Sequence, residues 1–288
     1  MTTKNLDKIK TQSTFNQPIV SAPIKLSIIT VNLNNAAGLS KTLESVASQT
    51  FTNYEHIIID GGSTDGSVDI IKDYERKYNG APGHLYWVSE PDKGIYNAMN
   101  KGIKVARGEY CLFLNSGDWL FKRHVLEQVK THLSPPELII YGNIITNSGV
   151  HKFPATLNNI YFLFSNISHP STFIETNLIR ANPYVESFKI LSDYYFIIKS
   201  IIHLKVKYKW IDVDCTYFDT SGVSNTLLDI KEIEKVRILE ELMPDTITYY
   251  THINEIRSDL EFYRNSKIVQ VAKKIQMYKN DLFRRKNI

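Results

Sequence analysis

Carboxylates, amides and a lysine gather at the ends of apolar runs in this sequence. Tyr110-Cys111-Leu112-Phe113-Leu114 reads as a buried strand that stops on Asn115-Ser116-Gly117-Asp118. Packing does not require such an ending, since these residues favour exposed turns and offer hard oxygen ligands to a divalent ion. A second segment, Ser89 to Gly102, reads as a polar loop, Glu90-Pro91-Asp92-Lys93, that enters a helix at Gly94. A cation beside a helix N-terminus suits a diphosphate, because backbone N–H groups and the helix dipole favour negative charge there. A solvated surface lysine is the alternative. Asp60 ends the apolar run Tyr54 to Ile59, where its carboxylate can accept the N–H groups of a base or merely stabilise an Asp-Gly turn. Thr64 or Asp65 is read as a helix cap.

These groups need a frame. Leu26 to Val31, Tyr54 to Ile59, Leu85 to Val88 and Glu109 to Leu114 read as strands. Helical patterns run between them, at Leu39 to Ser48, from Thr64–Asp65 to Tyr78, and at Gly94 to Ala106. Strands alternating with helices at this spacing imply βαβ units and a mainly parallel sheet. Right-handed crossovers then put the loop after each strand on one edge of the sheet. The loops at Asn32–Asn35, Asp60–Asp65, Ser89–Lys93 and Asn115–Asp118 are therefore expected to converge, where open α/β folds bind their ligands.

After Asp118 the pattern loosens. Phe121 to Leu133 suits a helix broken by Pro135-Pro136, and Asn147-Ser148-Gly149 suits a hairpin between Leu138–Thr146 and Val150–Phe153. Leu191 to Ile202 looks helical with Ser192-Asp193 at its start, and Lys207 to Phe218 alternates weakly. From Leu227 the composition shifts to helix formers with frequent charge. The expected organisation is a polar tail over 1–24, an α/β domain over 25–225 and a helical extension over 226–288.

With 43% apolar residues in 288, a sizeable core is feasible and global disorder is excluded. A formal charge of +4 gives no case for nucleic acid. Two cysteines, Cys111 and Cys215, build neither a disulfide framework nor a zinc cluster. The expectation is a cytoplasmic chain, because Met1 to Pro23 lacks a signal-peptide core and no apolar stretch is long enough to span a bilayer.

In order and spacing the motifs resemble those of the family-two inverting glycosyltransferases, which have the GT-A fold, a Rossmann-related α/β sheet flanked by helices. The resemblance covers about Leu26 to Ser224 and is firmest before Leu120. It rests on Leu26 to Val31 with Asn34, on Leu43-Glu44-Ser45-Val46 with Gln49-Thr50, and on Asp60-Gly61-Gly62-Ser63-Thr64-Asp65-Gly66. It rests also on Glu90 to Gly102 and Leu114 to Asp118. These look most like bacterial members that build capsular, exopolysaccharide or O-antigen units.

The resemblance implies transfer of a hexose-type sugar from a UDP- or GDP-sugar to a saccharide or lipid-linked saccharide acceptor. It puts Asp60 beside the base, with Thr30 and Asn32 serving the same nucleoside. Lys93 would meet the diphosphate, while Asp92 would hold Lys93, contact the donor sugar or cap the helix. The acidic DxD turn of the family is altered here: Asn115 stands in the first place and Gly117 in the second, leaving Asp118 as the one carboxylate. Asp118 is the expected ligand of Mn²⁺ or Mg²⁺, and Asn115 a donor-site residue; absent metal binding is the competing expectation. Ser192-Asp193 resembles the acidic pair that carries the general base, with Asp193 retained. Either residue alternatively caps the helix. His169, in Ser168-His169-Pro170, also matches a recurring segment and is the second catalytic candidate.

Two other functions compete: a nucleotidyltransferase making sugar nucleotides, and a non-catalytic binding protein of the same fold. The first expects a cation-bearing Gly-rich loop after the first strand, where Asn32-Leu33-Asn34-Asn35 stands instead. A dehydrogenase is disfavoured, as no G-x-G-x-x-G follows that strand. Near the C-terminus Ile268, Val271, Ala272, Ile275 and Leu282 form a stripe among lysines and arginines. Such a helix lies on the inner face of an anionic membrane, or packs on its own domain or in a homodimer.

Overall fold

The structure, a computed structural model, describes residues 11–12, 23–77, 84–220, 222 and 227–265. The first half is an alternation of strands and helices: β1 (Thr11–Gln12), β2 (Leu26–Asn32), α1 (Ala36–Ala47), β3 (Tyr54–Asp60), α2 (Ser67–Lys77), β4 (Leu85–Ser89), α3 (Ile95–Val105) and β5 (Tyr110–Phe113). β2 and β3 are buried at every position, as expected for apolar, β-branched strands covered on both faces. The order β4-β3-β2-β5 is parallel throughout. Helix α1 is capped by Asn35, whose Oδ1 accepts from the Gly38 N–H, and packs Leu39 and Leu43 with Ile58, Ile71 and Trp87. On α3, Gly102 permits close approach to the sheet: a Cβ there would lie 2.5 Å from Ile29 Cγ2.

The second half comprises β6 (Trp119–Leu120), α4 (Val125–Val129), β7 (Ile139–Thr146), β8 (Gly149–His151), α5 (Asn159–Phe164), β9 (Thr172–Glu175), α6 (Thr176–Ala181), α7 (Ser192–Ile198) and β10 (Tyr208–Tyr217). The ten strands form one sheet, ordered β1-β4-β3-β2-β5-β9-β7-β10-β6, with β8 paired to β7. Strand β9 runs antiparallel to both β5 and β7, so the parallel character belongs to the first half and the remainder is mixed. The α/β class and the helices after β10 agree with the sequence.

Several boundaries differ. The helix expected over Phe121–Leu133 is α4 plus a 3₁₀ turn at Lys130–His132. Its opening residues form turns, and the Phe121 N–H bonds the Cys215 carbonyl rather than a helical partner. The hairpin at Asn147-Ser148 is present. Helix α7 stops at Ile198 and continues as a π-helical turn, Lys199–His203. The short elements β6, β9, α5 and α6 carry too few residues to show a period and were absent from the sequence reading.

The chain divides into two compact units, Met1–Ile238 and Leu239–Ile288. α8 (Leu228–Leu242) crosses that division and α9 (Pro244–Asn265) follows it. The stripe from Ile268 to Leu282 lies outside the described residues, as do Val223 and Ser224. Among the described residues no helix is long and apolar enough to cross a membrane.

Candidate active site

The four loops meet at the carboxyl edge of the parallel strands. Asn32 Nδ2 donates to Asp60 Oδ1 at 2.7 Å and to Ser63 Oγ at 3.1 Å. The Thr64 N–H reaches Asn34 Oδ1 at 2.9 Å, and Asp65 Oδ2 accepts the Ala36 N–H at 2.8 Å. Asn35 Nδ2 holds the Ser116 carbonyl at 3.0 Å. Asp65 also accepts from the Ser67 N–H and hydroxyl, holding the first residue of α2.

Asp60 is fully buried and saturated. Its Oδ1 takes Asn32 Nδ2 and Ser63 Oγ, and its Oδ2 takes Gly62 N, Ser63 N and Ser89 Oγ. A carboxylate has about four lone-pair sites, and these donors occupy them. In this arrangement Asp60 orders the loops, tying the ends of β2, β3 and β4 together. Thr30 lies within β2, two residues before its carboxyl end. Its side chain is wholly buried and pairs with His56 Nε2 at 3.0 Å, inside the sheet rather than at its edge. Burial holds His56 down near a pKa of about 3, hence neutral. Asn32 is 4% exposed, with Oδ1 unpaired.

Asp92 Oδ1 accepts the Gly94 N–H at 2.9 Å, so of its three readings the structure shows the turn that opens α3. Gly94 is the N-cap at φ 124°, a backbone that only glycine adopts freely, and no side chain caps the helix. Lys93 is exposed, and among the described residues its ammonium makes no hydrogen bond or ion pair. Its charge nevertheless helps hold the Glu186 carboxyl below its usual range, behind hydrogen bonds from Asn100 and Asn97.

The Asn115–Asp118 turn is clamped by α1, where Thr42 Oγ1 donates to the Asp118 carbonyl at 2.7 Å and accepts the Gly117 N–H at 3.1 Å. Asp118 is 5% exposed. Burial pushes its carboxyl up to about 6; the His169 charge and the Asp219 N–H act against this rise, and the Asp219 charge adds to it. Asp219, two residues beyond β10, is a functional candidate that no motif in the sequence singles out. Its N–H donates to Asp118 Oδ1 at 2.9 Å, and its Oδ2 would lie 2.9 Å from a Cβ placed on Gly117.

His169 stands between the two candidate acids. Its Nδ1 is 3.4 Å from Asp193 Oδ2 and its Nε2 is 4.0 Å from Asp118 Oδ2. Burial alone would lower the imidazole, but the hydrogen bond and charge of Asp193, with the charge of Asp118, outweigh it and leave the pKa raised. Asn115 Nδ2 is 3.0 Å from Nε2, while Asn115 Oδ1 is buried without a partner. Turning the amide over puts Oδ1 against an Nε2–H, satisfies the orphan oxygen and matches a protonated ring.

Asp193 lies in the first turn of α7 but does not cap it. The N-cap is Leu191, which makes no side-chain cap bond, and Ser192 Oγ instead accepts the Val185 N–H at 2.6 Å. Asp193 Oδ1 takes the Tyr96 hydroxyl at 3.0 Å. That phenol, on α3, has a single hydrogen, which it shares between Asp193 and the Ile190 carbonyl at 2.5 Å. Burial, then the charge of Asp193, raises the Tyr96 pKa, so the hydroxyl stays a donor. In the sequence its helical spacing with Met99 reads as packing rather than chemistry.

Comparison with known proteins agrees with this geometry. The profile described as Glycosyl transferase family 2 matches residues 27–190. A PGL/p-HBAD biosynthesis glycosyltransferase of Mycobacterium bovis (strain BCG / Pasteur 1173P2) is 31% identical over 226 residues, covering 75% of this chain and 85% of that protein. In fold the chain resembles S. aureus TarS 1-349 in complex with UDP-GlcNAc, at TM-score 0.58 and 20% identity, with 78% of this chain and 73% of the other covered. It equally resembles the mannosyltransferase PcManGT from Pyrobaculum calidifontis in complex with GDP-Man and Mn²⁺, at TM-score 0.58 and 15% identity, with 82% and 72% covered. A nucleotidyltransferase is thereby set aside. With its GT-A-like α/β sheet and the motifs gathered at one edge, the chain belongs to glycosyl transferase family 2.

Proposed function

We propose that the protein is an inverting hexosyltransferase, using a nucleotide-diphosphate sugar as donor and a saccharide or lipid-linked saccharide as acceptor in bacterial surface glycan synthesis. One observation carries the reading: Asp118 and Asp193 face opposite nitrogens of the single His169 imidazole in a chain of this family. In a single displacement the acceptor hydroxyl oxygen forms a bond to the anomeric carbon as the bond to the diphosphate breaks. The hydroxyl proton passes to the Asp193 carboxylate, and the bonding pair leaves with the diphosphate. Tyr96 holds Asp193 in place through the hydroxyl bond described above. His169 keeps positive charge between the base and the leaving group. Lys93 and the N-terminus of α3 attract the diphosphate from the other side.

Asp118 and Asp219 are the residues that would hold a divalent cation. They are hard oxygen donors of the right type. Among the described residues no cluster of three or more His, Cys, Asp or Glu forms a cation site, so phosphate and water would complete the shell. When bound, the ion neutralises charge on the departing diphosphate. Donors of both bases are candidates, given the UDP-GlcNAc and GDP-Man complexes of the two fold relatives. In this reading the domain over 25–225 carries the chemistry at the cytoplasmic side of a membrane.

The test is a panel of UDP- and GDP-sugars assayed for transfer in Mn²⁺ and in chelator, with the anomeric configuration of the product read by NMR. Asp193→Asn should keep donor affinity and lose turnover on the order of 10²-fold or more. Retained configuration, or near-normal turnover of that variant, overturns the assignment.

A further inference from the structure

A carboxylate far along the chain grips the segment that leads into the Asp193 helix. Glu234, on α8 and only 8% exposed, accepts three successive backbone N–H groups: Lys189 at 2.5 Å, Ile190 at 3.0 Å and Leu191 at 2.9 Å. Three amides converging on one carboxylate form an anion-holding concavity, the kind that backbone turns build for phosphates. Here the anion is the protein's own. One turn further along α8, the Arg237 guanidinium lies over the Phe188 ring at 5.0 Å. The strand of contacts therefore runs unbroken from residue 188 to residue 191.

This grip has consequences for Asp193. Leu191 is the N-cap of α7, and Asp193 sits in that helix's first turn. The Ile190 peptide is held on both sides, its N–H by Glu234 and its carbonyl by the Tyr96 hydroxyl that also bonds Asp193. Moving that peptide would move the phenol and the carboxylate together. Helix N-termini also favour a negative charge, and the first-turn amides are otherwise short of partners.

We infer that Glu234 is a positioning residue for Asp193, setting the orientation of the general base through the Lys189–Leu191 segment. The inference rests on the reading of Asp193 given above. It adds a residue of the C-terminal helices to the support of a base that itself lies just beyond residue 190, where the family match ends. A glutamine at 234 keeps the shape but turns an N–H₂ toward backbone N–H groups. An aspartate keeps the charge but falls one methylene short.

The experiment compares Glu234→Gln, Glu234→Asp and, as a control, Glu240→Gln, which removes one charge from an exposed site on the same helix. Steady-state transfer is measured on folded protein, with amide hydrogen exchange followed at Ile190 and Leu191. Glu234→Gln should lower kcat on the order of 10²-fold, the penalty for ångström-scale misplacement of a catalytic group. Its donor KM should hold, because the donor loops lie on β2, β3, β4 and β5. Glu234→Asp should fall between Gln and wild type, Glu240→Gln should match wild type, and exchange at the two amides should quicken in step with lost kcat. If Glu234→Gln fails to fold, Glu234→Asp carries the test, since it retains the charge. Unchanged kcat in the folded Glu234 variants, or a loss confined to donor KM, overturns the inference. A fully active Asp193→Asn enzyme with quickened exchange in Glu234→Gln would instead remove the base assignment and leave the Glu234 contact standing.

Discussion

Replacing Asp118 by asparagine should make the metal-free protein more stable while disabling it. The carboxyl is pushed from its ordinary 3.8 up to about 6, chiefly by burial. Raising an acid by about two pH units amounts to roughly 3 kcal/mol of preference for the neutral form. Between pH 4 and 6, roughly, the folded protein holds a proton that the unfolded chain has shed, so raising the pH favours unfolding. The penalty is absent at the acid end of that window and complete by about pH 7. Asparagine is neutral at every pH, and its Oδ1 can keep the 2.9 Å bond from the Asp219 N–H. In chelator at neutral pH, Asp118→Asn should therefore melt roughly 6–12 °C above wild type, at about 2–4 °C per kcal/mol for a large domain. The difference should shrink steadily toward pH 4.5 in a series of calorimetric scans. Mn²⁺ with a nucleoside diphosphate should stabilise wild type and leave the variant unmoved. Equal melting temperatures at neutral pH, or a difference independent of pH, would refute the account of Asp118 as a carboxylate strained by burial and awaiting a cation.

Gly117→Ala should cost about 1–3 kcal/mol, because φ is +107° there and the new Cβ would meet Asp219 Oδ2 at 2.9 Å; urea denaturation measures the cost, and Mn²⁺ titration should show weakened binding. Asp60→Asn should destabilise by at least about 2 kcal/mol, since an amide cannot accept all the donors now converging on the carboxylate. Donor affinity should fall with it, read by calorimetric titration, through loss of loop order rather than of one contact. Tyr96→Phe should lower kcat about tenfold at unchanged donor KM, the effect of roughly one hydrogen bond or 1.4 kcal/mol lost beside Asp193. A wild-type kcat in that variant would place the phenol in packing alone.

Local chemistry made the first half of the fold legible. Ile57-Ile58-Ile59 and Cys111-Leu112-Phe113 are short apolar runs, bounded by turn residues, that read as buried strands. Asp60-Gly61-Gly62 and Asn115-Ser116-Gly117-Asp118 must be turns, so the alternation with helices follows from neighbours along the chain. Once that alternation is read, crossover handedness brings the turns to one edge, and the family resemblance needs no more. The second half hid itself because β6, β9 and α6 are two, four and six residues long, below any useful period.

What tertiary structure alone decided is who faces whom. Asp60 ends its strand on a local turn with Gly62 and Ser63, yet it is Asn32 of β2 and Ser89 of β4, nearly 30 residues away on either side, that it ties together. Tyr96 and Asp193 are 97 residues apart, Asp118 and Asp219 101, and Leu191 and Glu234 43. Sequence pattern specifies backbone angles and which face of an element is apolar, both properties of adjacent residues. The pairing of a hydroxyl or carboxylate with a partner so far off depends on how sheet order and crossovers stack the elements, and that arrangement exists only in the folded chain.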